Sequence, residues 1–160
     1  MGGASAKSHT VKSDTFDFAL APHLLGWRNE ILIRKSGLKV SDFEMFKVIG
    51  ISMFGWVRIA KHKASGNYVA CKCMRKSEII RLNQVKSMQM EAEIMKNLNH
   101  PFIARCGGTF QDATRIYLVT ELGPGGDLFT HISRQPNKRL PEPSSRFYAA
   151  CVAAALLYMH

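Results

Sequence analysis

The sequence has little that would place the protein outside the cell or within a membrane. Its four cysteines show no Cys-x-x-Cys spacing and no paired histidines, so a zinc site is not expected. The first residues lack the apolar core of a signal peptide. The longest unbroken apolar stretch, Phe147 to Met159, would span about 20 Å as a helix, too short to cross a bilayer. These absences predict a reducing, cytoplasmic environment.

Acidic residues are also scarce. There are 12 Asp and Glu against 22 Lys and Arg, which gives a formal net charge of +10. A basic balance of this size raises the question of nucleic-acid binding. The basic residues are scattered, however, and no motif that combines aromatic and basic residues accompanies them. The sequence therefore predicts no nucleic-acid partner.

A short loop that contains glycine lies between two segments typical of strands. The loop runs Gly50-Ile51-Ser52-Met53-Phe54-Gly55, and after it Val57 and Ile59 alternate with more polar residues. No helix cap follows the loop. It therefore differs from the loops that lead from a strand into a helix whose N-terminus holds a phosphate group. The pattern instead predicts a β-hairpin.

A third strand follows the hairpin and contains a lysine. Tyr68 to Met74 is rich in strand-forming residues and comes after a turn sequence. Because side chains alternate along a strand, Lys72 shares a face with Ala70 and lies beneath the loop. This arrangement predicts a site for the phosphate groups of a nucleotide.

The next segment provides a carboxylate for that lysine. Apolar residues from Val85 to Leu98 recur at spacings of three and four, which predicts an amphipathic helix. Glu91 lies on or beside the apolar stripe, where an unpaired charge is costly. Two interpretations follow: Glu91 extends to solvent at the helix edge, or it pairs with Lys72 on the adjacent strand. The neighbouring lysine favours the ion pair.

From about Phe43 to His160 the sequence resembles the first half of a protein kinase domain. The similarity is greatest to the catalytic subunits of cyclic-AMP-dependent kinase and related basophilic serine/threonine kinases, the AGC group. The motifs that carry it occur in the family's order: Phe54-Gly55-Trp56-Val57, Ala70-Cys71-Lys72, Glu91, Asn99-His100-Pro101-Phe102-Ile103, Glu121-Leu122-Gly123-Pro124-Gly125-Gly126-Asp127 and Arg146-Phe147-Tyr148-Ala149-Ala150.

The resemblance implies an α+β fold with a small lobe and the start of a large one. The small lobe would hold a five-stranded antiparallel sheet and helix C. We predict an N-terminal extension over 1–42, the small lobe over 43–120, a hinge over 121–127 and an incomplete large lobe over 128–160. The last part would contain a loop from Ser133 to Pro143 and a helix from Ser144 to His160.

The resemblance also implies an ATP site. Lys72 would hold the α- and β-phosphates and would be steered by Glu91, while Thr120 would be the gatekeeper beside the adenine. The residues implied to contact the nucleotide are Ile49, Gly50, Ile51, Ser52, Met53, Phe54, Gly55, Trp56, Val57, Ala70, Lys72, Thr120, Glu121 and Gly123.

Two residues of the loop depart from the family pattern, and the tryptophan after the loop is a third oddity. Ser52 replaces the middle glycine and Met53 replaces a small residue at the tip. A Cβ at position 52 restricts positive φ, and the family's glycine lets backbone N–H groups approach the phosphates. These changes predict weaker ATP binding. Trp56 is also unusual, and either seeks a partner surface or covers the loop.

Asp127 is implied to bind substrate. In the relatives a glutamate here reads an arginine upstream of the phosphorylated residue, and the aspartate keeps its charge. We therefore expect protein substrates phosphorylated at Ser or Thr in a basic context. An equally good local explanation is that Asp127 caps the helix that follows.

The 160 residues contain no His-Arg-Asp or Asp-Phe-Gly segment, which hold the catalytic aspartate and the Mg²⁺ ligands of kinases. We therefore expect the chain alone to be inactive and Mg²⁺ to bind only in a complete kinase. Three explanations remain open: a fragment of a kinase, an incomplete gene prediction, or a module that binds a nucleotide or a partner without catalysis.

Regulation and localisation rest on weaker signals. Gly2 is a candidate for N-myristoylation, although Ala6 replaces the preferred Ser or Thr, and a single acyl chain would give weak membrane association. The resemblance implies a cyclic-nucleotide-binding regulatory subunit, or a C-terminal tail docked near the Glu91 helix. Ile80 and Gln84 lie where such a tail would pack; the alternative is an ordinary turn that faces solvent.

Overall fold

The structure, a computed structural model, describes residues 37–160. Within them a five-stranded antiparallel sheet has the strand order β1-β2-β3-β5-β4. The strands are β1 (Phe43–Ser52), β2 (Gly55–His62), β3 (Tyr68–Arg75), β4 (Cys106–Gln111) and β5 (Arg115–Glu121). This confirms the predicted sheet. Gly2 and the first 36 residues of the predicted extension lie outside the described residues.

Within residues 37–160, four α-helices accompany the sheet, together with short 3-10 turns at Val40–Asp42 and Pro136–Lys138. The helices are α1 (Lys76–Arg81), α2 (Val85–Asn97), α3 (Leu128–Ser133) and α4 (Glu142–Met159). The last one begins at Glu142 rather than at the predicted Ser144. Pro143 lies in its first turn, where proline is tolerated because the N–H that it lacks would have no partner in the helix.

The two faces of the sheet pack separately. One face carries a cluster that includes Phe43, Val69, Cys71, Tyr117 and Val119. The other face carries two clusters, which together hold the side chains on either side of Lys72. Toward α1 and α2 these side chains are Phe54, Met74, Ile79, Cys106 and Leu118, and toward the hinge they are Ile59, Ala70 and Leu122.

The strand register places Lys72 at the centre of the second face. Lys72 pairs with Val57 of β2 and with Leu118 of β5, so β3 has a hydrogen-bonded neighbour on both sides. The backbone of this lysine is therefore held rigidly by the sheet. Helix α2, in contrast, has no fully buried residue and packs on the sheet through the half-buried Met88 and Met95.

Candidate functional site

An ion pair joins the sheet to helix α2. The Nζ atom of Lys72 donates a hydrogen bond to Oε1 of Glu91 at 2.7 Å. The side chains are 25% and 35% exposed, so the pair is shielded but open to a ligand from one side. Of the two interpretations of Glu91, the structure supports the ion pair. A half-buried cation with a fixed carboxylate neighbour suits the binding of phosphate oxygens.

Apolar side chains adjoin the ion pair on the hinge side. Ala70 is buried beside Ile59 and Leu122, with the half-buried Val57 packed against them. Thr120 pairs with Ala70 across β3 and β5, so it lies on the same face of the sheet. A flat aromatic ring bound here would contact an apolar surface at one end of the face, as the family resemblance implies.

The structure places Ile49 and Glu121, which were both predicted to contact the nucleotide, in different surroundings. Ile49 lies at the irregularity in the β1 and β2 pairing between Val48 and Gly50, and it is 45% exposed. Glu121 is fixed on both its backbone and its side chain: its N–H donates to the Arg105 carbonyl oxygen at 3.0 Å, and its Oε2 accepts from the Arg105 N–H at 3.1 Å. These bonds hold the start of the hinge firmly in place.

The glycine loop is a tight hairpin. Ser52 pairs directly with Gly55, which leaves only Met53 and Phe54 in the turn. None of the loop residues from Gly50 to Gly55 has a positive φ. The expected conformational penalty for serine at position 52 is therefore absent in this structure.

Close packing, not positive φ, explains Gly55. A Cβ atom at this residue would overlap the backbone carbonyl oxygen of Cys73 on β3. A Cβ atom at Gly50 would meet only the Val57 side chain, at an ordinary contact distance of 3.7 Å. The two glycines of the motif are thus required to different degrees by the fold.

The apolar side chains of the loop separate into two environments. Phe54 is 8% exposed and belongs to the apolar cluster with Met74 and Ile79. Ile51 and Met53 are 91% and 75% exposed. Of the loop residues implied to contact the nucleotide, the structure therefore brings Phe54 but not these two against the core.

Trp56 belongs to the opposite face of the sheet. It pairs with Cys73 rather than Lys72, and its ring packs against the cluster on that face. The guanidinium group of Arg75 lies over the ring, 5.0 Å from its centroid. Trp56 therefore covers the outer side of the sheet, and its side chain does not join the Lys72 site.

Two thiols lie directly behind Lys72. Cys71 and Cys73 share the opposite face of β3, with 3.9 Å between their Sγ atoms. The hydrogen bond with Cys73 and burial both raise the pKa of the Cys71 thiol. Cys71 therefore stays protonated and serves as part of the core.

Asp127 is the N-cap of α3. Its Oδ1 accepts from the Thr130 N–H and its Oδ2 from the Thr130 hydroxyl, both at 2.7 Å. The Thr130 N–H in particular lowers the pKa of this exposed carboxyl group, so it is charged at neutral pH. The capping interpretation is confirmed, and a role in substrate binding stays a prediction.

A network that no sequence pattern indicated links the segment after α2 to α4. The Asn99 N–H donates to the Tyr158 hydroxyl at 3.1 Å, and Arg105 Nε donates to Asn99 Oδ1 at 3.1 Å. The His100 and Tyr158 rings stack with centroids 5.1 Å apart. These residues are far apart in the chain, so no local pattern could have revealed the contact.

A groove of about 480 Å³ is lined by residues of α1, α2, β4 and β5 and includes Glu91. Its lining includes Ile80, Val85, Met88, Gln111 and Ile116. Ile80 is thus beside a groove, as predicted, whereas Gln84 bonds the Leu82 carbonyl oxygen and does not line it. Docking of a tail there stays a prediction.

The part of the chain that the structure describes shows neither a metal site nor a membrane-spanning helix. It contains no group of three or more His, Cys, Asp or Glu side chains that could hold a metal ion. None of its helices has the length and hydropathy needed to cross a membrane. The Lys72 site, with the loop above it, remains the best candidate for binding a small molecule.

Comparison with known proteins agrees with this geometry. Residues 43–160 match the protein kinase domain family. The chain is similar to serine/threonine-protein kinase Sgk3 of Rattus norvegicus (39% identical over 76% of this chain and 24% of Sgk3). It is also similar to serine/threonine-protein kinase nrc-2 of Neurospora crassa (39%, over 82% and 21%) and to cAMP-dependent protein kinase type 3 of Saccharomyces cerevisiae (36%, over 76% and 30%).

The chain spans about a quarter of the length of these relatives. The match nevertheless covers the whole sheet, the Lys72 and Glu91 pair and all four helices. The resemblance to serine/threonine kinases of the AGC group is confirmed by these relatives, which include Sgk3 and a cAMP-dependent kinase. This chain belongs to the protein kinase domain family.

Proposed function

We propose that this chain is the ATP-binding part of a serine/threonine protein kinase. The observation that carries the proposal is the 2.7 Å ion pair between Lys72 and Glu91, set beside an apolar surface and under a glycine loop. A cation alone would attract any anion. The apolar surface next to it adds a preference for a phosphate joined to an aromatic base.

The residues divide the work of binding. The Lys72 ammonium group attracts phosphate oxygens, and Glu91 holds it in one orientation so that little side-chain entropy is lost when the nucleotide binds. Ala70 and Val57 offer the apolar surface for adenine, with the fully buried Ile59 packed against them. Bound ATP supplies the phosphoryl group that a kinase transfers to a Ser or Thr hydroxyl.

Mg²⁺ fits this part of the protein poorly. Kinases hold it with carboxylate and amide side chains beside the phosphates. The described residues contain no group of acidic and other ligating side chains suited to a metal ion. We therefore assign no step to Mg²⁺ here, and the described residues act in binding and positioning.

The substrate preference belongs to the same proposal. Asp127 is exposed and charged at neutral pH, which suits an arginine in a basic peptide. Both of its oxygens already accept from Thr130, and the side chain is one methylene shorter than the family's glutamate. We therefore propose protein substrates with basic residues, bound through a weaker contact at Asp127 than a glutamate would give.

The proposed partners and location extend from the relatives. The yeast relative is by name a cAMP-dependent kinase, so we propose a cyclic-nucleotide-binding regulatory subunit as a partner. A cytoplasmic location, with weak membrane association if Gly2 is acylated, is part of the same proposal.

The test is direct measurement of ATP binding by the full chain. We expect Lys72→Ala to lower affinity for ATP by about tenfold or more, because a charged hydrogen bond to phosphate is lost. Lys86→Ala removes the same charge from the exposed surface of α2 and is the matched control. Isothermal titration calorimetry at a fixed salt concentration gives both affinities.

Two results would contradict the proposal. The first is a wild-type chain that does not bind ATP at millimolar concentration. The second is an equal loss of affinity in Lys72→Ala and Lys86→Ala, which would mean that ATP responds only to net charge. A chain that binds ATP but phosphorylates no basic peptide would support a binding role for these residues without catalysis.

A further inference from the structure

Within residues 37–160, one buried side-chain polar atom has no hydrogen-bond partner. It is the hydroxyl oxygen of Ser52, in the glycine loop. Buried polar groups in folded proteins are nearly always paired, so an exception calls for an explanation such as a missing ligand or water. The position is also where this chain departs from its family, which has glycine there.

The strand register places Ser52 on the nucleotide face of the sheet. Ser52 pairs with Gly55, and Gly55 pairs with Met74 on β3. The next row along the same face is Gly50, Val57 and Lys72. Because residues two apart in a strand share a face, Ser52 and Lys72 lie on one face in adjacent rows.

The protein provides little that could satisfy the hydroxyl. Gly55, directly opposite, has no side chain, and Met74 beyond it is apolar. Phe54, two residues along, is buried in the cluster that contains Met74 and Ile79. None of these side chains can accept from the Ser52 hydroxyl, which leaves water or a molecule bound beneath the loop as its partner.

We propose that the Ser52 hydroxyl donates a hydrogen bond to a phosphate oxygen of the bound nucleotide. The inference rests on the proposed ATP site and adds a side-chain contact to it. Phosphate oxygens are strong acceptors, and a serine hydroxyl has one proton to donate. Ser52 has no positive φ, so it makes this contact without backbone strain. The serine thus adds to phosphate binding instead of weakening it.

Ser52→Ala tests the contact in the full chain, kept dilute enough to be monomeric by light scattering. We measure affinity for adenosine, ADP and ATP. The expected result is a loss of about tenfold for ADP and ATP and no change for adenosine, which has no phosphate. Ser87→Ala, an exposed serine of α2, is the matched control and leaves all three affinities unchanged.

Two further measurements separate a ligand contact from a structural role. Removing an unpaired buried hydroxyl should leave the thermal midpoint of the free protein equal or higher in Ser52→Ala, while the rise caused by ATP becomes smaller. A purely structural serine would lower the midpoint of the free protein. Ser52→Gly restores the family's residue and should lose the same affinity for ADP and ATP.

The outcomes are distinct. If wild type binds ATP and Ser52→Ala keeps the ratio of ATP to adenosine affinity, the proposed contact is wrong and the ATP site stands. Tighter ATP binding by Ser52→Gly than by wild type also overturns it, because the serine would then be an obstacle. If wild type binds no ATP, the proposed function itself fails, and the Ser52 contact fails with it.

Discussion

The two glycines that bound the loop illustrate how one motif serves two purposes. Gly55 is held so close to β3 that any side chain would overlap a backbone oxygen. Gly50 has room for a methyl group, so the fold does not require glycine there. Any requirement for glycine at position 50 must therefore come from the bound ligand and not from the fold.

We predict that Gly55→Ala destabilises the chain by about 2 kcal/mol or more, because β2 and β3 must separate to admit the methyl group. This corresponds to a fall in the thermal midpoint of roughly 5–10 °C. Gly50→Ala is the matched control, with a change within about 0.5 kcal/mol. Circular dichroism melting curves of both variants provide the measurement, and equal midpoints would show that the strands adjust freely.

At the scale of single elements, the turn between β4 and β5 is held by one carboxylate. Asp112 accepts from the Tyr117 hydroxyl and from the N–H groups of Thr114 and Arg115, each at 2.7 Å. The Tyr117 hydroxyl, followed by these N–H groups, lowers the pKa of Asp112 well below its usual range. Burial and the bond to Asp112 raise the pKa of Tyr117 to about 12.

The pH dependence of stability follows from the depressed pKa of Asp112. The stabilisation that ionised Asp112 gives the folded state is complete above about pH 4, the pKa of an aspartate in the unfolded chain. It is lost as the pH falls below that value. We predict that Asp112→Asn lowers the denaturation midpoint at pH 7 and flattens the decline of stability between about pH 4 and pH 2. Urea titrations at several pH values measure both effects. A variant with the same acid decline as wild type would contradict this role.

Tyr117 provides the opposite limit. Because the pKa of Tyr117 is raised in the fold, the stabilisation by its protonated hydroxyl is complete below about pH 10, the pKa of tyrosine in the unfolded chain. It is lost as the pH rises toward 12. Tyr117→Phe should therefore be less stable than wild type at pH 7, and the difference should shrink above pH 10. A difference that stays constant to pH 12 would mean that the hydroxyl contributes through packing alone.

The elements were predictable where local patterns are strong. The alternation around Val57, the face shared by Ala70 and Lys72, and the spacing of α2 each fix one element, and the ion pair with Glu91 follows from their order. Family resemblance supplied the hinge and the number of strands in the sheet. The burial of Phe54 could not be predicted from a local pattern, because it depends on packing against α1 and β5, which are distant in the chain.

Trp56 shows a related limit. Its place on the outer face follows from the register, since it pairs with Cys73, yet the loop motif alone grouped it with the nucleotide residues. The unpaired Ser52 hydroxyl was also beyond the sequence. Residue type showed a departure from glycine, but only the packed hairpin reveals that the oxygen is buried without a partner.

At the scale of the whole molecule, α4 presents a large apolar surface. Phe147, Val152, Leu157 and Met159 are 61%, 57%, 81% and 50% exposed. Scattered apolar side chains are normal on protein surfaces, but several exposed on one helix form an apolar patch that promotes association. The patch is well separated along the chain from the Lys72 site.

We predict that the 160-residue chain self-associates at micromolar concentration through this helix. The double variant Phe147→Lys, Leu157→Lys should shift the population toward monomer, because charge at the patch opposes contact between copies. Size-exclusion chromatography with light scattering measures the mass. A matched pair of substitutions at exposed Ile51 and Met53, far from α4, should leave association unchanged; if they also release monomer, the loop rather than α4 mediates contact.

The unequal anchoring of the two partners in the ion pair has a kinetic consequence. Lys72 belongs to a strand paired on both sides, while Glu91 belongs to a helix with no fully buried residue. We expect amide hydrogens of α2 to exchange with solvent much faster than those of β3, and Glu91→Gln to speed exchange in α2 alone. Bound ATP should slow it. Nucleotide binding and local opening of α2 would then be thermodynamically linked: β3 keeps its structure while α2 opens and closes.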